Sequence, residues 1–318
     1  MFRHSLLAAA CFGLLFPPRF ADPPATGSQL TPRLAAMTAV TGFEQAMVDS
    51  LLRLLPGAKR DRAGNAVLVL GSGEPRRLAV CPLDEVGFVV GGIGSNGYLT
   101  LRRVGRAPTS LFDQQIEGQR VTVFGRRGAV PAVVAVRSTH LTRGRLLSDD
   151  PFTVDQAYVD VGATTAAEVS ALGIQVLAPV ALTKRPQQYG AADNTKLAAP
   201  SAGRRGACAA LLAAALERPH VLGTGVVGFA VEQNMTRRGI LTLAHTRGPF
   251  ESTVFLDGTP GLPGAVVVST DTTADTSLFG ETTQLALPMR YHDTASETVT
   301  LSDVDALERR VSQWMVGD

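Results

Sequence analysis

The run Arg77-Leu78-Ala79-Val80-Cys81-Pro82-Leu83-Asp84-Glu85-Val86-Gly87-Phe88 decides how this chain is read. Leu78 to Val80 is too short for a helix and ends on a β-branched residue, so it reads as a buried strand. A proline follows, and then a carboxylate pair, Asp84 and Glu85. Ligands of open α/β sheets bind just beyond the carboxyl ends of strands, which makes the pair a candidate site element. The same two acids also fit a solvated turn, and this stretch alone does not separate the readings.

On the N-terminal side, Leu34, Met37, Val40, Phe43, Met47, Leu51, Leu52 and Leu55 recur at helical spacing, interrupted at Thr41-Gly42. Asp61 to Asn65 is a turn into an apolar strand, Ala66 to Leu70, closed by Gly71-Ser72-Gly73. On the C-terminal side, short β-rich runs recur from Val86 to Leu182, with a hairpin signal at Ser95-Asn96-Gly97. Only Thr165 to Leu172 looks helical there. Such spacing predicts a small barrel or sandwich inserted into an α/β domain. After residue 190 the α/β pattern returns. A small-residue helix runs over Gly206 to Leu216, strands over Gly225 to Val231, Thr253 to Leu256, Ala265 to Val268 and Gln284 to Pro288, and a closing helix over Asp303 to Val316.

With 318 residues, 45% of them hydrophobic, the chain suggests two domains and can bury a substantial core. A net charge of +2 argues against nucleic acid as a partner. Arg3 and His4 precede the apolar run Leu6 to Phe16 and small residues to Ala25, so residues 1–25 read as a signal peptide and export is expected. Ala8 to Cys11 weakly resembles a lipoprotein box. No other stretch reaches transmembrane length. Cys81 and Cys208 belong to no Cys-x-x-Cys pair, so no structural zinc site is expected. Spacing does not decide whether they bridge.

Seven stretches in order resemble the dinuclear metallo-aminopeptidases of the glutamyl-aminopeptidase and tetrahedral-particle (TET) family. They are Val40 to Glu44, Asp61 to Asn65, Asp84 to Phe88, Glu117 to Val121, Val159 to Ala163, Arg205 to Ala209 and Arg290-Tyr291. The resemblance implies an α/β fold with a mixed central sheet flanked by helices, and an inserted small β-barrel domain that supports oligomerisation in the family. The expected division is 28–85 with 186–318 as a discontinuous peptidase-like domain, and 86–185 as the insert.

The family's chemistry uses two divalent metals, held by two histidines and three carboxylates, with a separate glutamate as base. Carried over by position, most of these have changed. The His-x-Asp motif falls on Pro82-Leu83-Asp84, which keeps the orienting Asp84 but puts proline at the ligand. The bridging aspartate lands on Gly203, beside Arg204; a gapped alternative uses Asp193 of Ala192-Asp193-Asn194 instead. The base and its neighbouring ligand fall on Gln233 and Asn234, whose amides cannot take a proton from water at neutral pH. Asp257 is kept. Asp293 stands at the last histidine position, with His292 one residue early and, on an extended segment, facing the other way.

The resulting expectation is an exported homologue that has lost its chemistry, with a cleft for a peptide or small ligand and a homo-oligomeric assembly. No cofactor is expected beyond at most one residual zinc or cobalt. The alternatives are a weak aminopeptidase with a single-metal site of Asp193, Asp257 and Asp293 or His292, and a purely structural or interaction protein.

Overall fold

The computed structural model describes residues 24–106, 109, 111–136, 150–261, 267–270 and 276–317. The expected signal peptide and the Cys11 box lie outside these residues, apart from the last two leader positions. In chain order the strands begin with β1 (Lys59–Arg60), β2 (Ala66–Gly71) and β3 (Arg76–Pro82). Next come β4 (Gly87–Ile93), β5 (Leu99–Val104), β6 (Arg120–Gly125), β7 (Gly128–Val134), β8 (Tyr158–Asp160) and β9 (Pro179–Leu182). They end with β10 (Gln187–Tyr189), β11 (Lys196–Ala198), β12 (Thr224–Ala230), β13 (Ser252–Pro260), β14 (Val267–Thr270), β15 (Glu281–Arg290) and β16 (Thr298–Thr300). The helices are α1 (Gly27–Ala35), α2 (Gln45–Leu54), α3 (Ala166–Ala171), α4 (Ala202–Leu216), α5 (Arg238–Arg247), α6 (Thr276–Phe279) and α7 (Leu301–Val316).

Ten strands form one mixed sheet in the order β1-β2-β12-β3-β13-β15-β16-β11-β10, with β14 paired to β15. Its centre, β12-β3-β13-β15, is parallel. The alternation along β3 explains why. Leu78 and Val80 pack into one core with Ile240, Leu243 and Phe250. Ala79 and Cys81 face the opposite core with Leu34, Leu51 and the alanines of α4. A strand covered on both faces must be apolar throughout, and a parallel sheet requires that cover. The segment from β4 to β9 closes instead into a six-stranded barrel, β4-β5-β8-β7-β6-β9, filled by Phe88, Val90, Leu101, Val121, Val123 and Val159 among others. The fold is therefore an α/β sheet with a small barrel, as the residues suggested.

Three local outcomes differ from the sequence reading. The helical spacing from Leu34 to Leu55 is carried by two helices, because Gly42 takes φ +83° and Val40 bridges to Glu85 between them. Helix α4 starts at Ala202, four residues earlier than its apolar run. Its glycines are there for packing: a Cβ on Gly206 would stand 2.6 Å from Leu287 Cδ2. The segment after β15 is a turn, not an extension of the strand, with Tyr291 and Asp293 at φ +55° and +58°. One covalent link was left open by the sequence: Cys81 and Cys208 form a disulfide from the end of β3 to α4, Cα to Cα 5.5 Å.

Candidate functional site

All four central strands end on one side, and the loops beyond them line a cleft of about 640 Å³ closed on its other side by the barrel. Asp84 and Glu85 follow β3, Gln233 and Asn234 follow β12, Asp257 lies in β13, and His292 and Asp293 follow β15. The barrel contributes Phe88, Ala181 and Leu182.

Asp84 is fully buried. Its carboxylate accepts from the Thr41 hydroxyl at 2.8 Å, from the backbone N–H of Gln233 at 3.0 Å and from that of Asn234 at 2.8 Å. With three donors on its two oxygens, it ties the β3 and β12 loops together.

Arg204, on the first turn of α4, lies across the cleft floor. Its Nε and Nη2 donate to the two oxygens of Asp257 at 3.0 and 2.8 Å, and its Nη1 donates to the Asp84 carbonyl. The fork matches a carboxylate edge to edge, the strong bidentate form of this pair. Burial works against the guanidinium charge, but Asp257 first, then Asp84 and Glu297, hold it firmly protonated.

Beneath it lies a second charged cluster. Glu85 accepts from Lys184 and from Ser201 Oγ at 2.9 Å, and Arg205 Nη2 stands 3.4 Å away. Burial disfavours every charge here. For Glu85 it is outweighed by Lys184 and Arg205, which hold the carboxyl down at about 2; for Lys184 and Arg205 burial wins and lowers them. This is a desolvated network, in which mutual attraction works against the cost of burying each charge.

The turn after β15 supplies the remaining acids. Glu297 accepts from Gly203 N at 3.3 Å and Asp293 N at 3.1 Å, so it caps the start of α4. Burial, offset in part by those two N–H groups, pushes its carboxyl up to about 7. Asp293 is also raised, by burial, against the opposing influence of His292 and Arg204. His292 Nδ1 is 2.9 Å from Asp293 Oδ2 and both line the cleft. The turn thus puts the two side chains together, where an extended segment would have sent them to opposite faces.

Of the positions singled out from sequence, Pro82 ends β3 opposite Ala230, where it offers no donor atom to the cleft. Gly203 sits against Gly258 and Met289 beneath Arg204. Residues 192–194 form a short turn beside β10 and β11, outside the cleft lining, and the side chain of Asp193 is outside the described residues. The donor set of the cleft does not fit a dinuclear metal centre: a guanidinium occupies both oxygens of Asp257. Among the described residues no three His, Cys, Asp or Glu side chains are grouped to hold a metal ion. Sequence reasoning missed Lys184, Ser201, Glu297 and Arg237, all of which line the cleft. None belongs to a spaced motif; only the tertiary fold brings them in.

The chain matches the M42 glutamyl aminopeptidase family over residues 64–257. It is 33% identical to SgcX of Escherichia coli (strain K12) over 184 residues, 56% of this chain and 47% of that protein. It is 24% identical to the lysyl aminopeptidase of Pyrococcus furiosus over 153 residues, 46% of this chain and 43% of that one. The chain thus spans less than half the length of the curated relatives it matches. Among solved structures, it resembles the Pyrococcus horikoshii TET1 peptidase with a TM-score of 0.78, covering 92% of this chain and 100% of that one at 17% identity. An aminopeptidase from Desulfurococcus kamchatkensis gives 0.76, covering 92% and 95% at 16% identity. At these identities the structural likeness speaks to fold.

Proposed function

Because this chain belongs to the M42 glutamyl aminopeptidase family, we propose that it is an exported, non-catalytic member whose cleft binds a peptide or small ligand without hydrolysing it. The observation that carries this reading is the Arg204–Asp257 pair, which puts a fixed positive charge on the one family ligand carboxylate kept unchanged. A divalent cation there would face a guanidinium at contact distance and lose the oxygens that should bind it. The loss of a glutamate at position 233 supports the same reading, since no group there can take a proton from water. Export is supported by the leader-like N-terminus and by the buried Cys81–Cys208 disulfide, a bond that persists in oxidising compartments. Homo-oligomeric assembly is supported by relatives such as the P. horikoshii TET1 peptidase, which can assemble into a tetrahedron or a large octahedral shell. Among the described residues no helix is long and apolar enough to cross a membrane.

Metal analysis of the purified protein, followed by an aminopeptidase assay with added zinc or cobalt, tests the reading. Less than one tightly bound metal per chain and no turnover above blank are expected. Two metals per chain, or turnover that a chelator abolishes, would overturn it.

A further inference from the structure

The loop from β12 to α5 brings Gln233 and Asn234 to the cleft. Each of its first four backbone N–H groups is taken by a side chain. Asn65 Oδ1 accepts from Val231 at 2.9 Å and Glu44 Oε1 from Glu232 at 3.0 Å. The two oxygens of Asp84 accept from Gln233 and Asn234 at 3.0 and 2.8 Å. All three acceptor residues are buried, and they lie 149 to 188 residues away in sequence. Asn65 also donates from Nδ2 to the Gly239 carbonyl at 2.9 Å, so one side chain grips both ends of the loop.

Helix capping does not account for Glu44. It stands at the N-cap of α2, yet its carboxylate bonds no N–H of that helix. It accepts instead from Gly42 at 2.9 Å and from the distant Glu232. Glu232 in turn sits at φ +56°, a sparsely populated conformation that persists where the surroundings fix it. A turn's backbone donors have to be met by backbone, side chain or water. Four in a row met by buried side chains leave this loop with its shape decided while the cleft is empty. The three acceptors come from three of the stretches that resemble the family: Val40 to Glu44, Asp61 to Asn65 and Asp84 to Phe88. Neither Glu44 nor Asn65 lines the cleft itself.

We infer that Glu44 and Asn65 are positioning residues of the cleft: together with Asp84 they fix the β12–α5 loop, so that Gln233 and Asn234 stand in place before a ligand arrives. This deepens the ligand-binding reading above and rests on it. A loop already in its final shape spares a ligand the cost of ordering it. The two residues act through the loop and touch no ligand themselves.

The test is amide hydrogen exchange, read residue by residue by NMR on the full chain without added ligand, for the wild type, Glu44→Ala and Glu44→Gln. Glu44→Ala should speed exchange at Glu232, Gln233 and Asn234 by at least about tenfold, the scale of a lost hydrogen bond to a charged group. The amides of β3 and β12 should keep their wild-type protection. The side-chain NH2 signals of Gln233 and Asn234 should move in the same variant. Glu44→Gln keeps an oxygen in place and should return both the exchange rates and those signals to near the wild type. Unchanged exchange at the three loop residues in Glu44→Ala overturns the inference. So does a loss of protection spread evenly over the sheet, which would make Glu44 a general stabiliser, and so does a failure of Glu44→Gln to rescue. Should Glu44→Ala fail to fold, the wild type decides: residues 232–234 exchanging as fast as the exposed turn at Ser95-Asn96 overturns the inference, and slower exchange by at least about tenfold supports it. None of these results touches the ligand-binding reading, which metal content and turnover decide separately.

Discussion

Glu297 has no role in any motif of the sequence, yet it is the carboxyl whose ionisation the fold most clearly holds back. Burial dominates, the N–H groups of Gly203 and Asp293 relieve part of the cost, and the neighbouring Asp293 adds to it. In the unfolded chain a glutamate loses its proton near 4.5; here it does so at about 7. Between those values the folded state holds the extra proton, so stability falls as pH rises, by about 3 kcal/mol in total, and the loss is complete above pH 7. Glu297→Gln removes this dependence. The variant also loses an acceptor, since one amide oxygen serves two N–H groups, so its curve should be offset as well as flatter. Thermal melts from pH 4 to pH 9 check this: the wild type should lose ground to the variant through the window from 4.5 to 7. Parallel curves would mean that Glu297 ionises normally. Nothing in Thr294-Ala295-Ser296-Glu297 foretells this, because the carboxyl is buried against the start of α4, where its partner Gly203 lies 94 residues away.

At the scale of one element, α4 shows why the sequence was legible in its middle and not at its start. Ala207 to Leu216 is an unbroken run of helix-forming, small or apolar residues, and the helix was visible there. Gly203 and Gly206 are poor helix formers, and the helix holds through them because Gly203 packs against Gly258 and Arg204 is anchored by Asp257. The same packing limits any attempt to place an aspartate at Gly203, one of the two candidate positions for the family's bridging ligand. A Cβ on Gly203 would stand 2.3 Å from Met289 Sδ and 3.2 Å from Gly258 Cα. Gly203→Asp alone should therefore cost about 1–3 kcal/mol from overpacking. Met289→Ala, which clears the nearer obstacle, should recover part of that cost in the double variant. Urea unfolding of the two single variants and the double gives the coupling directly; strict additivity would show that Met289 is not the obstacle.

Across the whole molecule, the buried strand β3, the β-rich segment from Val86 to Leu182 and a site beyond the strand's carboxyl end were legible from local periodicity and the order of elements, while the mixed sheet was legible only through the family resemblance. The contacts that stitch the cleft together were not. Cys81 and Cys208 are 127 residues apart and meet only because α4 lies back across the end of β3. Closing so long a loop restricts the unfolded chain strongly. Cys81→Ala with Cys208→Ala should lower stability by about 2–5 kcal/mol in denaturant titrations, and reduced wild type should behave like the variant. A variant as stable as the oxidised wild type would remove the bridge from the account of what holds β3 to α4.

The pairing of Arg204 with Asp257 has one more consequence. A metal ion exchanges with the surroundings, and its occupancy follows the free concentration outside. The positive charge facing Asp257 does not exchange, since it is written into a codon and arrives with every copy of the chain. A chelator has nothing to withdraw from that contact, and zinc scarcity cannot leave it half filled. The floor of the cleft is assembled once, at folding, and stays the same in rich and depleted media.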